Sequence, residues 1–241
     1  MWFKQDIKKN LVPVVILCAG RGRRLLELGE DLPKAMVKIN NQPVIKYIID
    51  YWKSFAKKFI FVLGYKKEQI ISFVNRIDLD CPFDFVLQDK PLGIAHAISC
   101  VEKYIDNNFI VVLGDCICQG DFIFPDSFEQ GIGVWQTQDT NHIKQSYSVE
   151  IENNLVCRVV EKPKEVKNNL CGMGYYFFQK KVFNYIRQTP PSNLRNEIEI
   201  TDVIQKMIDH GQRISPLYFK GTYINITSPP DILLAQEILN L

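Results

Sequence analysis

The chemistry-bearing part of the chain begins with Leu17-Cys18-Ala19-Gly20-Arg21-Gly22-Arg23-Arg24-Leu25, followed by Pro33-Lys34. A buried-looking apolar run leads here into two glycines and three arginines. Glycines let backbone N–H groups approach phosphate oxygens, and guanidinium forks clamp them, so the segment reads as a polyphosphate-binding loop. It is not a Walker loop, which needs Gly-Lys-Ser/Thr, nor a dinucleotide fingerprint, which needs a third glycine and a helix directly behind it. Gly114-Asp115 follows a second apolar run. A carboxylate at the tip of a buried parallel strand is either a helix cap or a metal ligand facing the ligand cleft. A phosphate loop on the same sheet edge favours Mg²⁺, which takes one or two carboxylates together with substrate phosphates. Glu161-Lys162-Pro163 ends another strand-like run with an acid and a base together. Arg195-Asn196-Glu197 opens a helical segment, where N-terminal acids account for Glu199 and Asp202 but not for Arg195.

These groups need a scaffold that brings strand ends together. Continuous apolar runs at 12–19, 59–63, 83–87 and 109–113 read as strands covered on both faces. Helical patterns at 43–55, 67–75 and 94–104 lie between them, the first with Asn41 as cap ahead of Pro43. The alternation implies an α/β fold with a doubly wound, mostly parallel, Rossmann-like sheet and helices on both faces. After Asp115 the runs 133–136, 147–151, 155–161 and 174–178 read as antiparallel or mixed strands, with Glu152-Asn153-Asn154 as a hairpin turn. They form a small antiparallel insertion. A helix at 197–210, strands near 214–219 and 223–226, and a helix from Asp231 follow. Ligands of open α/β sheets bind beyond the carboxyl ends of the strands, so the ends at Ala19, Gln88 and Asp115 are expected to converge.

Composition narrows the function classes. The 241 residues carry 29 Lys and Arg against 27 Asp and Glu, a net charge of +2 without a long block of one sign. That excludes nucleic-acid binding through a basic surface and a polybasic membrane anchor. Seven cysteines leave one over from any closed disulfide set, and none form a CxxC pair; Cys116 and Cys118 are too close for a zinc half-site. Free thiols in a reducing cytoplasm follow from this. The apolar run 11–19 is too short to span a bilayer and contains Pro13, and arginines follow where a signal peptide would carry small residues. The expected location is cytoplasmic.

Taken together, the segments resemble the sugar-1-phosphate nucleotidylyltransferase family, most closely its glucose-1-phosphate thymidylyltransferase and uridylyltransferase branches. The resemblance runs from Val12 to Leu239. The glycine–arginine loop with Pro33-Lys34 is similar to the family's Leu-Ala-Gly-Gly-x-Gly-Thr-Arg-Leu and Pro-Lys signature. Gln88 and Pro91-Leu92-Gly93-Ile94-Ala95 match the segment that reads a pyrimidine base, and Gly114-Asp115 matches the metal-binding Gly-Asp. Tyr147-Ser148, Glu161-Lys162-Pro163, Gly172/Gly174 and Arg195-Asn196-Glu197 match sugar and sugar-phosphate contacts. The resemblance therefore implies nucleotide binding by Leu17, Ala19, Gly20, Gly22, Arg24, Gln88 and Gly93. It implies catalytic roles for Arg24, Lys34 and Asp115. Sugar-phosphate binding falls to Tyr147, Ser148, Glu161, Lys162, Gly172, Arg195 and Glu197, and Mg²⁺ binding to Asp115 and Asn225. Two departures stand out: Ala19 replaces the first loop glycine, and Asn225 replaces the second metal-binding Asp.

The implied reaction is NTP + sugar 1-phosphate → NDP-sugar + pyrophosphate, with dTTP or UTP ahead of CTP. One domain over 1–241 is expected, with about 12–115 holding the nucleotide and about 116–241 the sugar phosphate. Its partners are a nucleoside triphosphate and a sugar 1-phosphate, with no nucleic acid and no membrane; self-association into a homo-oligomer is left open. Two rivals remain: a cytidylyltransferase for a non-sugar phosphate such as phosphocholine, and a non-catalytic nucleotide-sugar sensor. An oxidoreductase is disfavoured because no acid follows the second strand in the ribose position.

Overall fold

The computed structural model describes residues 1–7, 12–20, 32–193 and 195–239. Its first half contains β1 (Trp2–Phe3), α1 (Lys4–Ile7), β2 (Val12–Cys18), β3 (Lys38–Ile39), β4 (Gln42–Pro43), α2 (Val44–Trp52), β5 (Ala56–Leu63), α3 (Lys67–Val74), β6 (Phe83–Leu87), α4 (Ile94–Ser99) and β7 (Asn108–Leu113). The second half adds β8 (Cys116–Ile123), β9 (Ser127–Phe128), β10 (Gln130–Gln136), α5 (Thr140–Gln145), β11 (Tyr147–Glu152), β12 (Leu155–Glu161) and β13 (Leu170–Gln179). Helices α6 (Val182–Gln188) and α7 (Ile200–Asp209), strand β14 (Ile214–Asn225) and helix α8 (Pro229–Leu239) complete it. The expected α/β sheet with helices on both faces is present. Its path runs β6-β5-β2-β7-β13-β10-β14-β8. β6, β5, β2 and β7 are mutually parallel. β13 is antiparallel to both β7 and β10, and β10 returns parallel to β14. The antiparallel hairpin β11–β12 attaches through Tyr147 and Ser148 to β13.

The unbroken apolar runs are explained by two cores. On one face Val14, Ile16, Phe59, Phe61, Ile110 and Val112 pack with Trp52 of α2. On the other, Val15, Ile60, Val62 and Val111 pack with Ile98 of α4 and Val203 of α7. Alternate residues of one strand enter opposite cores, so the central positions of these strands are apolar on both faces and polar residues fall at their ends or on the edge strand. The Asn153–Asn154 turn joins β11 to β12 with both residues at positive φ, 51° and 62°, the geometry of a two-residue hairpin.

Local chemistry also departed from expectation. Asn41 does not cap α2; with Asn40 it forms a second tight turn, φ 66° and 50°, linking β3 to β4. Pro43 itself precedes α2. The two expected strands near 214–219 and 223–226 are one, β14, bent where Gly221 faces Gly120 of β8 and both take positive φ. β8, α5 and α6 had no assignment in the sequence reading.

Gly172 is required by packing. It pairs with Tyr147 of β11 and Val134 of β10, and a Cβ built on it would fall 1.9 Å from the Tyr147 ring. At Gly20, by contrast, a Cβ would meet nothing within 4 Å. Gly172→Ala should therefore lower stability by about 1–3 kcal/mol through overpacking, while Gly20→Ala leaves the melting temperature near that of the parent. Thermal melts followed by circular dichroism check both.

Candidate active site

The three strand ends at Ala19, Gln88 and Asp115 meet as expected, joined by the end of β5. Gly114, after β7, donates its N–H to the Leu17 carbonyl of β2 at 2.9 Å, and Gln88, after β6, donates to Leu63 of β5 at 2.8 Å. Ala19 avoids positive φ, and its methyl lies against Gly64, where a Cβ would come within 3.0 Å. An inner compartment is lined by Leu17, Ala19, Gly20, Gln88, Gly93 and Glu197. An outer compartment is lined by Tyr147, Glu161, Lys162, Arg195 and Asn225. Gly20, Lys34 and Asp115 line both. They stand where the two spaces join.

At that junction Lys34, on a single 3₁₀ turn after Pro33, donates from Nζ to Asp115 Oδ2. Each side chain is 19% exposed. The Asp115 carbonyl accepts from Ile226 N–H at 2.8 Å, which ties the end of β14 to the same point. Asn225, paired with Cys116 across β14 and β8, carries a buried Oδ1 with no hydrogen-bond partner among the described residues. A row of donors supports the other Asp115 oxygen. Gly174 N–H donates to the Tyr223 hydroxyl at 3.0 Å, which lies 3.1 Å from Cys116 Sγ, and the thiol donates to Asp115 Oδ1 at 3.4 Å. Burial and the Asp115 charge push the Cys116 thiol well up, so it remains a donor.

The outer compartment holds a compact charge cluster. Arg195 donates from Nε and an NH2 nitrogen to both oxygens of Glu199, at 2.7 and 2.6 Å, and from NH2 to Glu161 Oε1 at 3.1 Å. Glu199 is 2% exposed, and its hydrogen bonds push Arg195 further above its ordinary value. Burial, then the Glu199 charge, pushes Glu161 up to about 7, with Arg195 and Lys162 pulling the other way. Lys162 adopts φ 43° and its N–H donates to the Ser146 carbonyl at 2.8 Å, turning the chain out of β12.

Several residues stand differently from the sequence expectation. Glu197 borders the inner compartment beside Gln88 and Gly93 rather than the outer one with Glu161. Ser148 and Gly172 line neither space, because the Tyr147 ring covers Gly172 and Ser148 pairs within the β11–β12 hairpin. Gly93, at φ 102°, serves the docking of a second segment: a Cβ there would lie 2.7 Å from the Ile198 carbonyl. Gly22 and Arg24 lie outside the described residues. Three groups escaped the sequence reading. Glu199 had a signal only in its nearness to Arg195 in sequence, since both stand in the irregular segment ahead of α7, which begins at Ile200 rather than at 197 as expected. Cys116 and His96, the latter 2.9 Å from Gln88, had none, because their partners are set by tertiary geometry.

A family model described as nucleotidyl transferase matches residues 13–236. The chain belongs to the nucleotidyl transferase family. This nucleotidyl transferase is 33% identical over 232 residues to the UTP–glucose-1-phosphate uridylyltransferase AglF of Haloferax volcanii, covering 93% of this chain and 95% of that protein. It is 32% identical over 230 residues to the bifunctional protein GlmU of Methanococcus maripaludis, covering 92% of this chain and 53% of that protein. It thus spans about half the length of several curated relatives that it matches. The crystal structure of UDP-glucose pyrophosphorylase complexed with UDP-glucose superposes with a TM-score of 0.82 at 21% identity, covering 95% of this chain and 98% of that one. That likeness bears on the fold. No helix among the described residues is long and apolar enough to cross a membrane.

Glu161 gives a pH signature. Its folded value, about 7, lies above its ordinary 4.5, so the folded state holds the proton more tightly. The stabilising contribution is complete below the ordinary value and is lost as pH rises through about 7. Melting temperatures of Glu161→Gln minus parent should therefore rise in the variant's favour from about pH 4.5 to about pH 8. A flat difference across that range would show that Glu161 ionises freely.

Proposed function

We propose that this nucleotidyl transferase joins a pyrimidine nucleoside triphosphate, dTTP or UTP ahead of CTP, to a sugar 1-phosphate, releasing pyrophosphate. The observation that carries the reading is the junction itself. A paired cation and carboxylate, with an unpartnered amide oxygen beside them, stand where an inner apolar-and-amide space meets an outer space lined by charge. The AglF resemblance, over nearly the full length of both chains, supports the same chemistry.

The reaction needs no protein nucleophile. An oxygen of the already ionised sugar phosphate attacks the α-phosphorus; one P–O bond forms, the α–β bridging P–O bond breaks, and pyrophosphate carries away the electron pair. Catalysis then rests on alignment and charge neutralisation. In this reading the backbone after β2 and Arg24 hold the triphosphate, and Lys34 meets the charge that builds on the α-phosphate and departing group. Lys162 takes the sugar phosphate, and Glu161 with Arg195 and Tyr147 faces the sugar. Residues about 12–115 supply the inner space and about 116–241 the outer one, as one nucleotidylyltransferase domain.

The residues present suit a hard divalent cation. The Asp115 carboxylate and the orphaned Asn225 Oδ1 are both oxygen donors on one wall of the cleft. No group of three or more His, Cys, Asp or Glu among the described residues could hold a metal alone, so the remaining ligands would come from phosphate and water. Mg²⁺ bound there would neutralise phosphate charge. Asp115 and Asn225 would hold it, and Cys116 and Tyr223 would keep the Asp115 oxygens aimed.

Pyrophosphate release by purified protein across a grid of nucleotides and sugar 1-phosphates, with CTP plus phosphocholine as one arm, tests the reading. A pyrimidine triphosphate with a sugar 1-phosphate should give the highest kcat/KM; a purine, or phosphocholine alone, would overturn it. Lys34→Ala and Asp115→Ala should each cost on the order of 100-fold or more in kcat/KM while folding survives. With one carboxylate, the free protein should bind Mg²⁺ weakly and the nucleotide-bound protein tightly. Calorimetry should show Asn225→Asp tightening Mg²⁺ in the free protein.

A further inference from the structure

Gln88 stands at the carboxyl end of β6, 7% exposed, in the wall of the inner compartment. Its amide is held from two sides. Nε2 donates to the Gly93 carbonyl at 3.2 Å and lies 2.9 Å from His96 Nδ1. An amide NH₂ has two hydrogens and no lone pair to offer, so Nδ1 accepts and the imidazole carries its proton on Nε2. Turning the amide over would press Oε1 against the Gly93 carbonyl, acceptor against acceptor. With both hydrogens engaged, the group left to face the compartment is the carbonyl Oε1, which has no hydrogen-bond partner among the described residues.

The location of His96 is fixed as firmly as its partner. Ala95 N–H donates to the Ile198 carbonyl at 3.2 Å and Ile198 N–H to the Leu92 carbonyl at 2.8 Å, so the start of α4 is docked on the strand-like segment before α7. Gly93, at φ 102° and in close contact with Ile198, sets the point from which α4 departs. His96 is on the first turn of that helix, flanked by the buried Ala95 and Ala97. Its ring is therefore aimed at β6 by backbone contacts that do not depend on Gln88.

We infer that His96 is a specificity-determining positioning residue: by holding the Gln88 amide with its oxygen outward, it selects a nucleobase whose facing edge carries a ring N–H. Uracil and thymine have a hydrogen at N3; cytosine has a bare lone pair there, which would face Oε1 as a second acceptor. The sorting acts through the orientation of one amide, and His96 touches no substrate. This rests on the proposal that the inner compartment holds the base.

Calorimetry of nucleotide binding, with Mg²⁺ and without sugar phosphate, tests it on the intact chain. Parent protein should bind UTP more tightly than CTP and should lose N3-methyl-UTP, which lacks the hydrogen. His96→Leu keeps the bulk but removes the acceptor, freeing the amide to turn; the UTP-over-CTP preference should shrink roughly 10- to 100-fold. His96→Asn, whose Oδ1 can stand near the Nδ1 position, should keep most of the preference. His96→Ala is read in the same way if the leucine variant does not fold. Gln88→Leu separates the two levels of the argument. If it abolishes the preference while His96→Leu leaves it intact, the role of His96 is overturned and the base site stands. If neither changes the preference, the base is held elsewhere and both readings fall. Equal losses in His96→Leu and His96→Asn would assign His96 to packing and overturn the inference.

Discussion

The ion pair between Lys34 and Asp115 is the contact on which the site is organised. It joins the 3₁₀ turn after Pro33 to the tip of β7 where both compartments open. Charges this sheltered are tolerated because each satisfies the other and because Asp115 has further support, from the Cys116 thiol and through the Ile226 amide on its carbonyl. The strand order matters for the same reason. β2 and β7 are neighbours, so their carboxyl ends deliver Gly20 and Asp115 side by side. On the reading proposed above, a polyphosphate entering the cleft would compete for Lys34 and so leave Asp115 open to a cation.

The outer compartment follows the same logic with a different balance. Glu199 is fully sheltered and answered by two nitrogens of Arg195, Nε and one terminal nitrogen, whereas Glu161 shares that terminal nitrogen and has a weak hydroxyl contact from Thr201 at 3.3 Å. The fold therefore pairs one carboxylate fully and leaves its neighbour Glu161 pushed up to about 7 by burial and the Glu199 charge. Such under-satisfied groups lower stability where a ligand is expected to complete them. Glu199 anchors Arg195; Arg195 presents Glu161.

Much of this was written locally in the chain. The four parallel strands were legible because each feeds two cores at once, which forbids polar residues at Val14, Val15 or Ile16. The placing of Asp115 in the cleft was legible because it follows a buried run on the same sheet edge as the glycine–arginine segment. The parts that escaped depend on partners distant in sequence. Asn41 read equally well as a cap or a turn residue, and only the pairing of Lys38 with Pro43 decided it. β8 escaped because as an edge strand it carries Gln119 and Asp121 within it and follows a loop-like Gly-Asp. His96 looked unattached because what it holds is an amide eight residues earlier, brought near by the turn through Gly93. Glu197 was assigned by its neighbours in sequence, but the docking of Ile198 on Leu92 faces it toward the inner space.

The position of β13 has a consequence for how the chain reaches this structure. β7 is complete at Leu113, yet the partner on its open side begins at Leu170. Until that segment is made and docked, Ile110 and Val112 stand on an unpaired apolar edge, a surface that recruits other chains. The two halves cannot be separated into a nucleotide module and a sugar module that fold in turn, because the antiparallel strand contributed by the second closes the sheet of the first. Assembly is governed by long-range closure, which is slow, and the chain remains vulnerable to aggregation until its later strands arrive.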